Sequence, residues 1–333
     1  MKRWNIVLTG YGNVGRAIAM LLDERRERYR TVYGADVRLT GIRRAKAALA
    51  NAKGLALDAI TDEAFAAPQP FGDFLAQAWA DLLIEAGPTD IRTGAPGLDH
   101  IREALASGRH VIAVSKGALV VDGAALKALA ETRGLALEVS GAAAAALPTI
   151  DLIRHATAGC PVLAVEGILN ATSNALLDMM MDDGLGLDEA LERARQAGIA
   201  EANPSLDIDG WDTACKMAII ATFGLDEPLT LDRLSVDGIR HVEADQLACW
   251  RAEGLRPRLV GRLERDGGRL IGSVALRACR PDNPFALVHG RNKAIRIETD
   301  GMGALVAMGG GSEPRATATA ALKDLEHILA AQC

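Results

Sequence analysis

The sequence lacks the features that would tie it to an oxidising compartment, a membrane or a nucleic acid. Its five cysteines are odd in number and scattered, with no CxxC spacing, so we expect a reducing, cytoplasmic setting. No apolar run is long enough to span a bilayer, and the first residues lead into a strand and a glycine turn rather than a signal peptide. The formal charge of −6, without a dense block of Lys and Arg, predicts no nucleic-acid partner. None of the six histidines lies in metal-ligand spacing, so we predict no metal site.

What the sequence does contain is typical of a soluble α/β protein with two domains. A chain of 333 residues, 49% hydrophobic and 24% charged, can form about two substantial cores. Apolar strands alternate with helical patterns in the first half, which predicts a Rossmann-type doubly wound parallel sheet. From about residue 230 to 305 strand-like segments predominate, which predicts a second α+β domain whose sheet serves either as a dimer interface or as a floor under the substrate. We expect a dinucleotide-binding domain at 1–148, completed by a C-terminal helix at about 309–332, and a substrate-binding and dimerisation domain at 149–308.

The glycine-rich turn after the first strand predicts a dinucleotide site. An apolar strand from Asn5 to Thr9 runs into a GxGxxG motif, and a helical pattern follows. In that context the glycines allow a tight turn and close approach to a pyrophosphate, whose charge the helix N-terminus stabilises. The alternative is a purely structural strand-to-helix turn. The residues expected to bind the cofactor here are Gly10, Gly12, Asn13, Val14 and Gly15.

Basic residues follow two further strands of the first half. The strand from Val37 to Gly41 leads to Arg43 and Arg44, where NAD-selective folds place an acid, whereas an arginine suits the 2′-phosphate of NADP. The pair therefore favours NADP, unless both are exposed loop residues. Ser115 and Lys116 stand at the C-terminal end of another strand, where doubly wound sheets bind their ligands. Lys116 is thus a candidate for the cleft, the alternative being a surface lysine.

The second half contains an acidic turn followed by a helix with a lysine. Asp212 and Lys216 are four residues apart among apolar neighbours, so they share a helix face that has no evident polar stripe. We expect Lys216 to point inward, where an unpaired ammonium costs several kcal/mol unless it is compensated. Glu201 and Asp207 lie just upstream and could supply that compensation. The alternative is an ordinary solvated salt bridge worth about 0.2–0.5 kcal/mol.

Another helix start carries more hydrogen-bonding groups than capping needs. Thr172, Ser173 and Asn174 follow a strand at the point where a helical pattern begins. One such side chain suffices to cap the helix. The others could contact a substrate.

Taken together, several stretches resemble the homoserine dehydrogenase family in order and spacing. The resemblance covers most of the chain, and the segment from Glu201 to Lys216 is its most specific part. The matching stretches are GYGNVG, KGLALDA, HVIAVSKGAL, EGILNATSN, AGIAEANPSLDIDGWDTACKMAI, PFALVHGRNKAIRIETD and GGGSEPRATATAALKDL. The chain resembles the short form without a C-terminal amino-acid-sensing domain, so threonine feedback through such a domain is not expected.

The resemblance implies an activity and a setting. Enzymes of this family transfer a hydride between NAD(P)H and the C4 aldehyde of L-aspartate 4-semialdehyde, giving L-homoserine on the route to threonine and methionine. We therefore expect a small amino-acid substrate, NADP as cofactor with NAD possible, a cytoplasmic location and a homodimer.

The resemblance also implies roles for individual residues. Lys216 matches the family's proton-donating lysine, and Lys116 matches the lysine beside the nicotinamide and the reacting oxygen. Glu201 matches the residue that binds the substrate amino group. The remaining expected contacts are Asp207 and Asp212, which help to hold substrate and lysine, Thr172 near the substrate, and Ser115 and Gly311 near the cofactor.

Three departures from the family pattern keep other functions open. Ser140 and then Ala142 to Ala146 replace a glycine-rich loop preceded by a glutamate, at which some members hold a monovalent cation. Alanine in the left-handed region costs about 1–2 kcal/mol, so a loop that used positive φ there must be built differently. Ala171 replaces a glycine, and Asn203 replaces an aspartate. The alternatives are a related NADP-dependent dehydrogenase of another small amino-acid semialdehyde or alcohol, and a non-catalytic NADP-binding protein.

Overall fold

Within residues 1–201 and 203–332, which this computed structural model describes, the strands form two six-stranded sheets. The first elements are β1 (Lys2–Thr9), α1 (Asn13–Glu24), α2 (Arg26–Tyr33), β2 (Ala35–Arg44), β3 (Ala47–Ala50), α3 (Phe71–Gln77), β4 (Leu82–Glu85), α4 (Gly97–Ala106), β5 (His110–Ala113), α5 (Gly117–Thr132), β6 (Leu137–Glu138) and α6 (Ser140–Ala144). The later ones are α7 (Thr149–Asp151), β7 (Val162–Ile168), α8 (Ala171–Asp183), α9 (Leu187–Gln196), α10 (Ser205–Ile208), α11 (Trp211–Ile219), β8 (Leu234–Val236), α12 (Ala244–Ala252), β9 (Arg256–Asp266), β10 (Arg269–Cys279), β11 (Lys293–Thr299), β12 (Gly303–Gly309) and α13 (Pro314–Ala331).

The first sheet has the order β3-β2-β1-β4-β5-β6. Its strands are parallel except for β3, which returns antiparallel along β2. Strand β4 is buried at all four positions, as expected for an inner strand of a parallel sheet with helices on both faces. The predicted Rossmann-type doubly wound sheet is confirmed.

The closing helix packs against α1 beside this sheet. The chain divides into two compact units, residues 1–146 with 313–332 and residues 147–312. Leu322, Leu325 and Ile328 of α13 are almost inaccessible to solvent in one core with Ile18 and Leu22 of α1. Burying each such side chain contributes about 1.5–3 kcal/mol. Helix α13 is therefore an integral part of the first unit.

The second unit is built on the order β12-β11-β7-β9-β10-β8. Its strands pair antiparallel, apart from the parallel pair β8 and β10. Gly267 and Gly268 take positive φ in the β9–β10 hairpin, in agreement with the turn that the pattern Asp266-Gly267-Gly268 predicts. Helix α11 packs on β9 and β10. A Cβ at Gly261 of β9 would lie 2.6 Å from Met217 Cγ, so glycine lets α11 approach the sheet this closely.

Several sequence-based details were wrong. Strand β2 runs to Arg44, so Arg43 and Arg44 are strand residues rather than residues beyond the strand. The sequence predicts a helix from Gly123 to Arg133, whereas helix α5 begins at Gly117 and is interrupted by non-helical backbone angles at Asp122. Helix α12 lies in the region read as β-rich; its one fully buried residue, Leu247, leaves no apolar stripe to indicate a helix.

The alanine-rich segment keeps one backbone conformation that its sequence disfavours. Residues Ser140–Ala144 form a short helix, which alanine favours. Ala145, however, has φ 54° and ψ −120°, although an alanine in such a conformation costs on the order of 1–3 kcal/mol. The segment therefore retains a positive φ without a glycine.

Among the described helices, none is both long and apolar enough to cross a bilayer.

Candidate active site

Lys216 and Asp212 form a largely buried ion pair on helix α11. The Lys216 ammonium donates to Asp212 Oδ2 at 2.6 Å and to the Leu169 carbonyl at 2.7 Å. The two side chains are only 14% and 12% exposed. Gly210, with φ 85°, turns the chain sharply into this helix. The lysine thus points inward, and the pair is not the solvated salt bridge that its spacing alone allowed.

Asn170, which the sequence reading did not single out, joins the two acids of this site. Its Oδ1 accepts from the Ser173 amide at 2.8 Å, so Asn170 is the cap of α8. Its Nδ2 donates to Asp207 Oδ1 at 2.6 Å and to Asp212 Oδ2 at 2.7 Å. Because the oxygen is committed to the cap, the amino group must face the carboxylates. The predicted candidates for capping were three residues just downstream, and none of them is the cap.

The electrostatic setting of this site raises the pKa of Asp207. Burial is the largest cause and lifts that pKa above its ordinary value of 3.8. The nearby carboxylates of Asp212 and Glu201 act in the same direction. The Asn170 amide and the Lys216 ammonium oppose this rise without cancelling it. A carboxylate whose charged form is disfavoured in this way is stabilised by an added positive charge, such as the ammonium group of an amino acid.

The other sequence-predicted substrate residues lie at the edge of this cluster. Glu201 is exposed, yet it is close enough to Asp207 to affect its pKa. The Thr172 hydroxyl donates to the Ile199 carbonyl at 3.3 Å and so supports the segment leading to Glu201. Asp209, from the same acidic turn, instead pairs with Arg240 at 2.7 Å. The structure therefore separates Asp209 from the site.

The glycine turn of the first unit has the shape of a phosphate-binding loop. A Cβ on Gly10, which has φ 82°, would lie 2.1 Å from the Ala86 carbonyl oxygen, and a Cβ on Gly15 would lie 2.1 Å from the Gly10 oxygen. A Cβ on Gly12 would meet nothing within 4 Å. Asn13 and Val14 are the first residues of α1, so their amides stand at its positive end. A pyrophosphate fits this open turn.

A buried acid lies at the end of the neighbouring strand β4. Glu85 is fully buried; its carboxyl group accepts from the Gly87 amide at 2.8 Å and from the Ser115 hydroxyl. Burial raises the pKa of Glu85. Ser115 precedes Lys116, whose amide donates to Thr89 Oγ1 at 3.4 Å at the start of α5. Glu85 was missed, although an acid closing an apolar strand was a visible signal.

Arg43 and Arg44 point in different directions because successive strand residues face opposite sides. Arg43 donates to the Gln69 carbonyl at 2.7 Å and lies over the Phe71 ring. Arg44 pairs with Asp62 at 2.6 Å, and its guanidinium lies 5.4 Å from the ring centroid of Tyr11 in the glycine turn. Arg44 is therefore the arginine beside the turn.

The last predicted cofactor residue lies in the second unit. The Gly311 carbonyl accepts from the buried Lys293 ammonium at 3.3 Å.

Comparison with known proteins identifies the family. The family model described as the NAD binding domain of homoserine dehydrogenase matches residues 10–140, and the model described as homoserine dehydrogenase matches residues 148–325. The chain belongs to the homoserine dehydrogenase family. It is an NAD(P)-dependent oxidoreductase that acts on a CH–OH group.

Individual relatives agree with this assignment along nearly the whole chain. A protein of Pseudomonas canavaninivorans named NAD(+)-dependent homoserine dehydrogenase is 31% identical, covering 98% of this chain and 97% of its own. The homoserine dehydrogenase of Methanocaldococcus jannaschii is 30% identical, with 97% and 98% covered. The crystal structure of a homoserine dehydrogenase from Thiobacillus denitrificans superposes with a TM-score of 0.86 at 26% identity, covering 99% of this chain and 74% of that one.

The loop at which some homoserine dehydrogenases hold a monovalent cation does not fit one here. The Ser140 hydroxyl accepts from the Lys323 ammonium at 2.8 Å, and the Ser140 amide donates to Asp324. Lys323 and Asp324 are also paired at 3.4 Å. An ammonium of the chain thus already stands at this position and would repel a second cation. Among the described residues, no group of three or more His, Cys, Asp and Glu is placed to hold a metal.

Proposed function

We propose that this protein interconverts L-homoserine and L-aspartate 4-semialdehyde, in the cytoplasm, on the route to threonine and methionine. The observation that carries the proposal is the largely buried Lys216 ammonium, held by Asp212 and the Leu169 carbonyl. A desolvated, positioned ammonium is suited to a reaction in which negative charge develops on an oxygen.

In the proposed mechanism Lys216 is the proton donor. When bound, the nicotinamide cofactor supplies the hydride, and the aldehyde oxygen gains negative charge as the hydride reaches its carbon. An ammonium has three N–H donors, and Lys216 gives two of them to Asp212 and Leu169. The third N–H is directed to the substrate oxygen. Its proton is transferred to that oxygen, while Asp212 keeps the lysine in place. Lys116 is the residue that would face the nicotinamide of a bound cofactor and assist at the reacting oxygen.

The substrate is held by its own charge. Glu201 and Asp207 are carboxylates that can bind the ammonium group of an amino-acid semialdehyde, and Thr172 completes this pocket. Ala171, the first residue of α8, replaces the family's glycine between Asn170 and Thr172, and we expect its methyl group to limit the size of the substrate. These features favour a small substrate that carries an ammonium group over a neutral aldehyde.

NADP is the cofactor we propose, with NAD accepted less well. Arg44 beside the glycine turn is the residue that would bind the 2′-phosphate, because arginine matches phosphate geometry. Ser115 and the glycine turn, Gly10 to Gly15, would bind the rest of the cofactor, and Gly311 is a further proposed cofactor residue. The relative in Pseudomonas canavaninivorans is named as NAD(+)-dependent, and NADH is therefore the comparison cofactor in the assay below.

A homodimer through the second sheet is also part of the proposal. Paired strand residues face the same side of a sheet, and one side bears the Glu166–Arg296 ion pair together with Ile271, Val306 and Met308. These three apolar side chains are 44%, 39% and 52% exposed. Val306 and Met308 lie two residues apart on the edge strand β12, and exposed apolar residues beside a charged ladder favour self-association.

One assay tests the function. Oxidation of NADPH and of NADH is followed by absorbance with L-aspartate 4-semialdehyde, and with other small semialdehydes as comparison substrates. We expect rapid turnover of L-aspartate 4-semialdehyde, faster with NADPH. Turnover of a different semialdehyde only would indicate a related dehydrogenase, and cofactor binding without any turnover would indicate a non-catalytic protein.

A further inference from the structure

We infer that Asn170 is a positioning residue that assigns the two acids of the site to different tasks, Asp212 to the lysine and Asp207 to the substrate. The inference rests on the proposed function. Asn170 touches neither the reacting atoms nor the cofactor in this scheme. It acts through the carboxylates that it holds.

The geometry leaves Asn170 a single arrangement. Its side chain is 5% exposed, and its oxygen is occupied by the Ser173 amide. Both amide protons are therefore available only to the acids, at 2.6 Å from Asp207 and 2.7 Å from Asp212. The planar Asn170 side chain makes three hydrogen bonds, and these fix the distance between the two carboxylates.

The two acids need such a spacer because they carry like charges beside one cation. Without a donor between them, Asp207 and Asp212 could share the Lys216 ammonium or share one proton, as neighbouring carboxylates do. Asn170 satisfies Asp207 with a neutral donor instead. Asp207 then keeps its charge for the substrate, and Lys216 keeps Asp212 as its partner.

The charged groups around Asp207 make this effect measurable. Asp212 and Glu201 raise its pKa together with burial, while Asn170 and Lys216 lower it. Removing only the Asn170 donor must therefore raise the pKa of Asp207 further. A residue that merely capped a helix would leave that pKa unchanged.

Substitutions can separate capping from positioning. Serine and aspartate are both good N-cap residues, so Asn170→Ser keeps the cap and removes the amide donor, and Asn170→Asp keeps the cap and replaces the donor by a third carboxylate. Asn283 offers a control, because it caps the short 3-10 helix Pro284–Leu287: its Oδ1 accepts from the amide of Phe285, two residues on, at 2.9 Å. Asn283→Ser changes a similar cap away from the acids.

The experiment measures kinetics and the carboxyl titration of Asp207. In Asn170→Ser we expect kcat/KM for L-aspartate 4-semialdehyde to fall about tenfold to hundredfold, as when a group that orients reacting side chains is lost. The acid limb of its pH profile should move to higher pH, and the KM for the cofactor should not change. Asn170→Asp should move the acid limb in the same direction and further. Asn283→Ser should match the unsubstituted protein.

The NMR titration of the Asp207 carboxyl carbon, assigned with Asp207→Asn, requires no turnover. A higher pKa in Asn170→Ser supports the inference even if the aldehyde proves to be a different one. An unchanged pKa and an unchanged pH profile in the folded Asn170→Ser or Asn170→Asp protein would overturn it. If the pKa of Asp207 is higher in Asn170→Ser but the unsubstituted protein shows no turnover, the proposed function is refuted and the inference stands.

Discussion

Lys216 donates to Asp212 at 2.6 Å, one turn earlier on the same helix, with both side chains largely withdrawn from solvent. The same i,i+4 spacing occurs at Lys127 and Glu131, where the atoms lie 2.5 Å apart and the glutamate is 63% exposed. The two pairs share this spacing, with acid and lysine in opposite order along the helix, and they differ in burial. Only the buried pair holds an ammonium in a setting suited to catalysis.

Replacing Lys216 by alanine should abolish most of the turnover. The proton donor is lost while the glycine turn is untouched, so kcat should fall about 10²- to 10⁴-fold and the dissociation constant of NADPH should stay the same. Steady-state kinetics and fluorescence titration of NADPH would measure the two quantities. Lys127→Ala is the matched control and should behave as the unsubstituted protein. Near-normal kcat in Lys216→Ala would contradict the mechanism.

Replacing Asp207 by asparagine should remove a pH dependence of substrate binding. The pKa of Asp207 is raised above 3.8, so the carboxylate loses its charge as pH falls through that raised value and the KM for the semialdehyde should increase. In Asp207→Asn the KM should be about tenfold to hundredfold higher at neutral pH, the loss of a charge-assisted bond, and should no longer change over this range. Asp209→Asn, which alters the acid paired with Arg240, should leave KM unchanged. An intact acid limb in Asp207→Asn would assign that limb to another group.

Replacing Arg44 by alanine should change cofactor preference. Loss of a bond to a phosphate is worth about 1.5–3 kcal/mol, so the KM for NADPH should rise about tenfold to hundredfold, while the KM for NADH should change little. Asp62→Asn removes the ion pair but keeps the arginine, so its preference should stay with NADPH. Equal effects of Arg44→Ala on both cofactors would place Arg44 away from the 2′-phosphate.

The rate should not depend on sodium or potassium. Lys323 already supplies a positive charge to Ser140 and Asp324, so exchanging these cations for a bulky organic cation at constant ionic strength should leave kcat and KM unchanged. Lys323→Met should lower the free energy of unfolding by about 1–3 kcal/mol, because the fully buried Asp324 loses the ammonium paired with it and keeps the Ser140 amide. Strong activation of the unsubstituted enzyme by either cation would show that the loop binds one after all.

Glu85→Gln should become more stable than the unsubstituted protein as pH rises. Burial raises the folded-state pKa of Glu85 above its ordinary value of 4.5, so the folded state binds a proton more tightly than the unfolded chain. The stability contributed by this group is present below 4.5 and is lost as pH rises through the raised pKa. Urea unfolding at about pH 5 and about pH 8 should show the difference growing with pH. Glu131→Gln, at an exposed position, should show a difference that does not vary.

The sequence by itself determined those features whose physical cause is local. The continuous apolar strands predicted the buried parallel sheet, since no polar alternation can be accommodated between two layers of helices. The glycine turn could be predicted because only glycine is tolerated at the position of Gly10. There φ is positive and the Ala86 oxygen leaves no room for a Cβ. The inward direction of Lys216 followed from the apolar residues around it.

Only the tertiary structure decided which distant groups meet. Asn170 finds Asp207 and Asp212 from 37 and 42 residues away, and Lys323 reaches Ser140 across 183 residues. Residue type and periodicity report which face of an element is buried, but they do not specify what that face touches. Ala145 shows the same limit in the backbone, because its positive φ is imposed by the surrounding fold against the local preference of alanine. The sequence alone therefore did not reveal that Asn170 lies between the two acids. It also did not reveal that the Lys323 ammonium lies at Ser140.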